Sequence, residues 1–141
     1  MGTWGTKAFE NDTACDWAAS NNDKEAVGRA LNAVLKFCDD LDADCACAGI
    51  AAAELVTTYY NISYLPDSVF KSIKRKLGIL KVEPCPDLVE KAIKVLECVN
   101  KPGSELRELW EESDQYLDWL NELESLKSRL SECKKLSIRK C

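Results

Sequence analysis

Eight acids crowd residues 105–124 against a single base, and three more, Glu10, Asp12 and Asp16, gather near the start of the chain. Carboxylates at that density can hold a divalent cation or meet a basic partner. Glu10, Asp12 and Asp16, with Glu54 as a fourth, are the candidate ligands for Mg2+ or Mn2+, which would activate water for hydrolysis. Asp12 and Asp16 stand four apart on one helix face, where like charges repel. A lysine, a metal or a partner's arginine would compensate them. Histidine is absent. That excludes Ser-His-Asp and Cys-His catalysis and imidazole ligation of a metal, so any chemistry falls to carboxylates, thiols, Lys, Arg or Tyr.

The thiols are Cys15, Cys38, Cys45, Cys47, Cys85, Cys98, Cys133 and Cys141. None is spaced C-x-x-C, the usual half of a thiolate zinc site or a redox pair. Cys38 and Cys98 each fall on an apolar face, and most of the eight are expected to be small buried hydrophobes. Cys133 and Cys141 are expected at the surface. Asp40, Asp42 and Asp44 occupy positions 1, 3 and 5 of a calcium-loop template. Cys45 stands where it needs Gly and Ala51 where it needs Glu, so the run reads as a helix stop and a new helix start. Cys133 with Arg139 matches the C-x5-R spacing of a phosphatase loop without the glycines that loop needs. Ser68 with Lys71 matches S-x-x-K within a basic, solvated run. No cofactor is expected.

The elements that must position these groups are all helical. Asn11 and Asp12 can cap a helix to about Asn21, with Ala14, Trp17 and Ala18 inward. Asp23 can cap a second, whose Val27, Ala30, Leu31, Val34, Leu35 and Cys38 recur at helical spacing. A third, from about Cys45 to Tyr60, is rich in alanine and suits a central place. A short basic helix follows from Pro66 to Leu77. The next runs from about 87 to 100, with Leu88, Ala92, Val95, Leu96 and Val99 inward. Ser104 can cap a short helix carrying Leu106, Leu109 and Trp110. In the last, from about 115 to 134, Trp119, Leu123, Leu126, Leu130 and Cys133 repeat at 4, 3, 4, 3, which suits a packing seam. The expectation is one all-α domain over residues 1–141, a compact bundle of six to seven helices with a long C-terminal helix. A chain of 141 residues buries enough surface to fold without staples.

The opening MGTWGTKAFENDTACDW carries most of the signature residues: Trp4, Gly5, Phe9, Asn11, Asp12, Asp16 and Trp17. It closely resembles the start of a bacterial family of small proteins catalogued as a domain of unknown function, whose members begin M-G-x-W-G, then F-[DE]-N-D and D-W. LNAVLKF, AAAELV, LPDSVFKSI, SELRELWEES and WLNELESLKSRL resemble its later segments more loosely. The cysteines and the KKLSIRKC tail depart from its pattern. The resemblance implies a bacterial or phage source and assigns no role to the signature residues.

The net charge of −5 argues against nonspecific nucleic-acid binding, which needs a basic surface. The longest apolar run, Cys45 to Ala53, is too short to span a membrane. The first residues show no basic stretch followed by an apolar one, so a cytoplasmic protein is expected. The balance favours a non-enzymatic module that binds a protein with a basic surface, such as an immunity protein, an antitoxin, or a phage defence or counter-defence factor. Its candidate contact residues are Trp110, Glu111, Glu112, Asp114 and Asp118. A carboxylate-metal enzyme and a homo-oligomer built on the last helix are the alternatives.

Overall fold

The computed structural model describes residues 5–20, 25–58 and 86–140, with side chains through residue 136. Six helices fill the described residues: α1 (Asp12–Ser20), α2 (Ala26–Lys36), α3 (Ala43–Thr58), α4 (Pro86–Val99), α5 (Glu105–Glu111) and α6 (Tyr116–Lys140), with no strand among them. The expected basic helix from Pro66, the Asp23 cap, Trp4, Cys85 and Cys141 lie outside the described residues.

The helix starts are fixed by side chains. Asn11 Oδ1 accepts the Ala14 N–H at 2.8 Å, so Asn11 is the cap and Asp12 the first-turn acid. Asp42 Oδ1 accepts the Cys45 N–H at 2.7 Å, which makes the DDLDAD run a helix cap and not a calcium loop. Ser104 Oγ accepts the Arg107 N–H at the start of α5. The turn before it places Gly103 at φ 97°, a conformation that favours glycine. Glu105 ties that start to the start of α3: its N–H donates to the Leu41 carbonyl, and its Oε1 accepts the Ala43 N–H.

Helix α3 is the hub. It packs against α1, α2, α4, α5 and α6, and every residue from Gly49 to Thr58 is buried. Alanine permits this because its side chain lets neighbours approach from all sides. At Gly49 the approach is closest. A Cβ there would collide with Val34 Cγ2 of α2 and stand 3.2 Å from Val95 Cγ1 of α4. Valine cannot swing aside within a helix. Gly49→Ala is therefore expected to lower stability, with overpacking of roughly 1–3 kcal/mol outweighing a helix-propensity gain of at most about 1 kcal/mol. Gly28 of α2 is the control. A Cβ there meets nothing within 4 Å, so Gly28→Ala should stabilise by roughly 0.5–1 kcal/mol. Urea denaturation of the two variants reads both signs.

The last helix follows its seam. Trp119, Leu123, Leu126, Leu130 and Cys133 are all buried, and α6 lies against α3, α4 and α5. The seam is thus filled from within the chain. Cys133 was expected at the surface and is instead fully buried, because it continues the 4-3 spacing of that seam.

Cys38 and Cys98 require a second correction. They are not separate core thiols. They form a disulfide with their Cα atoms 5.2 Å apart, joining the chain just after α2 to the end of α4. Among the described residues, Cys15, Cys45 and Cys133 are free thiols. Burial pushes the Cys47 thiol up to about 12 and the Cys133 thiol up to about 11, so both stay protonated and serve as packing groups.

Candidate functional site

Glu54 sits in the most apolar stretch of the chain, two per cent exposed. A carboxylate there must be paired. Arg129 of α6 supplies the charge: its guanidinium donates to Glu54 Oε2 at 2.5 Å, and it too is buried. Thr57, one turn further along α3, donates its hydroxyl to the same oxygen at 2.6 Å. The pair thus fastens the hub helix to the last helix.

Above the pair lies a cavity of about 30 Å3, bounded by Lys7, Asn11, Cys47, Glu54, Glu122 and Arg129 among others. That volume suits a water or two and not a metabolite. One wall is aromatic, with Trp110 stacked on Trp119 at 6.1 Å between ring centroids, and Tyr116 also stacks on Trp119 at 6.2 Å. Gly5 to Ala8 line another side.

That placement gives the signature residues structural work. Phe9 is a core residue, one per cent exposed. Asn11 is the α1 cap, and its amide also donates to the Ala8 carbonyl. Gly5 lies beside Glu10, where any Cβ would fall on the carboxylate at 2.5–2.6 Å. Glu10 Oε1 in turn accepts the Lys7 N–H at 3.1 Å. Trp17 packs half-buried against the core.

The candidate metal ligands are not brought together. Glu10 is turned back onto its own loop, Asp12 and Asp16 are exposed on α1, and Glu54 is bound to Arg129 and Thr57. Among the described residues no cluster of three His, Cys, Asp or Glu is arranged to hold an ion. Burial raises the Cys15 thiol, and Asp12 and Asp16 add to it, so the two acids act on that thiol through their field.

The acidic segment divides on inspection. Trp110, a candidate contact residue, is buried, because its ring is half of the stack on Trp119. Glu111 accepts Arg107 Nε at 2.8 Å and is neutralised within the chain. A hydrogen bond with Tyr116, more than Glu111 itself, raises the Arg107 pKa. Glu112, Asp114 and Asp118 are exposed and make no ion pair with another described residue, and Glu108 shares both properties. Between them Leu117 is 72% exposed and Leu109 44%.

Charge density located these acids, but the buried pair was missed. The signal was a lone Glu inside AAAELV and an Arg three residues after Leu126 and four before Cys133, each on a face otherwise apolar.

The family described as Domain of unknown function (DUF4259) matches residues 2–122. No curated protein and no solved structure matches the chain.

Proposed function

The chain belongs to the DUF4259 family of unknown function, and from that premise we propose that it is a non-enzymatic, acidic protein-binding module of the bacterial cytoplasm. Its partner is a protein with a basic surface, held in the manner of an immunity protein or antitoxin, or of a phage defence or counter-defence factor. The supporting observation is the surface that joins α5 to α6. Glu108, Glu112, Asp114 and Asp118 are exposed there, and so are Leu109 and Leu117, each next in sequence to one of these acids. An apolar centre within a charged rim is the usual anatomy of a protein interface. Unpaired acids raise the rate of encounter with a basic partner and set its orientation. Among the described residues no helix is long and apolar enough to cross a membrane.

The test is capture from the native host with the tagged chain, followed by charge reversal. Glu112→Lys, Asp114→Lys and Asp118→Lys together should weaken capture at least tenfold and reduce its salt dependence, with helicity unchanged because all three are exposed. Leu117→Ala should weaken it further, by roughly 1 kcal/mol or more if the leucine is buried in the complex. A partner that is retained equally by the reversed surface would remove this face, and recovery of the bare chain would count against a binding module.

A further inference from the structure

The disulfide has two unlike ends. Cys98 lies on the packed side of α4 and is seven per cent exposed. Cys38, past the end of α2, is only partly buried and has a cation beside it: Lys101 Nζ stands 3.9 Å from its sulfur. Asp39 holds that ammonium in place at 3.2 Å while remaining almost fully exposed itself. The neighbouring Phe37 is 51% exposed. At the partly exposed free cysteines Cys15 and Cys45, burial first and then neighbouring acids raise the thiol.

We propose that Cys38 is a thiol–disulfide exchange site, entered by a low-molecular-weight thiol and assisted by Lys101. The incoming thiolate bonds to Cys38 Sγ, the bond to Cys98 breaks, and its electron pair leaves on Cys98, which takes a proton from solvent. Cys38 now carries the small thiol as a mixed disulfide. A second thiolate attacks the outer sulfur, forms the oxidised small disulfide and expels Cys38 as a thiolate beside the Lys101 ammonium. Two small thiols are oxidised and one protein disulfide is reduced. In reverse, the Cys38 thiolate attacks the small disulfide and expels one thiolate, and Cys98 then attacks Cys38 and expels the other. Reduction frees the chain after α2 from the end of α4, while α2 and α4 remain packed on each other and on α3.

Glutathione is the probe, on the full chain. The oxidised protein is exposed to reduced glutathione, quenched with N-ethylmaleimide at short times and digested, and the trapped adduct is located by mass spectrometry. It is expected on Cys38. With oxidised glutathione, the reduced Cys98→Ser variant should accumulate one adduct on Cys38, and the Cys38→Ser variant should show none on Cys98. Lys101→Met should slow adduct formation roughly threefold for each unit by which it raises the Cys38 thiol, because thiolate fraction and nucleophilicity change in opposite directions. Cys47 and Cys133, both buried, report whether each variant stays folded. An adduct trapped on Cys98 in the unmutated protein, or a Cys38 that stays unmodified in folded Cys98→Ser, overturns the proposal.

Discussion

Arg129→Met is expected to destabilise the protein by roughly 3–5 kcal/mol, a large part of what a domain of this size possesses. The methionine fills much of the space the arginine stem occupied, so packing is only a small part of the loss. The rest comes from Glu54, left in the centre of α3 without its counter-charge, with the Thr57 hydroxyl still donating to it. Glu54→Gln should cost a similar amount for the mirror reason, since it leaves a buried guanidinium beside a neutral amide. The double variant Glu54→Gln/Arg129→Met should lose less than the sum of the two. Its excess over the additive value, read by urea denaturation, is the coupling of the pair. Additive losses would mean that the two side chains act independently and that α3 and α6 are joined by packing alone.

Removing the disulfide is the second large effect. Cys38 and Cys98 close a loop with a sequence separation of 60. A cross-link of that span stabilises by roughly 2–4 kcal/mol in the chain-entropy account. The Cys38→Ser/Cys98→Ser variant should therefore melt on the order of 10 °C lower than the oxidised protein. The reduced unmutated protein should match the variant closely. It should also keep its helicity, because α2 and α4 are held to α3 by buried residues on both sides of the bridge. Equal melting of the oxidised and reduced forms would show that the unfolded chain gains nothing from release of the link.

These two interactions are also the two that local sequence patterns did not reveal. Helical spacing marked the buried faces of α2, α4 and α6 because periodicity is a property of neighbouring residues. Asn11 and Ser104 were legible as caps for the same reason: the donor they satisfy is three residues away. The Glu54–Arg129 pair spans 75 residues, and nothing local says which cation meets which carboxylate. Cys98 was correctly placed on an apolar face, whereas Cys38 lies past the end of α2 and is only partly buried, and a core thiol and half of a disulfide have the same local pattern. The acidic segment shows the limit from the other side. Charge density located it, yet Glu111 is paired and Trp110 buried, and the exposed apolar side chains are Leu109 and Leu117. Which face of a seven-residue helix looks outward depends on the helices beneath it.

The same 75-residue separation has a meaning in time. At translation rates of about 5–20 residues per second, Glu54 is made roughly 4–15 s before Arg129. Through that interval the nascent α3 has its carboxylate and its alanines but neither the cation nor the seam of α6 to cover them. The amino-terminal helices can form and collapse on one another, but the central carboxylate must stay hydrated until the last helix arrives. Completion of the core therefore waits for α6, and a ribosome stalled before Arg129 is made presents an unfinished core to the chaperones of the cell.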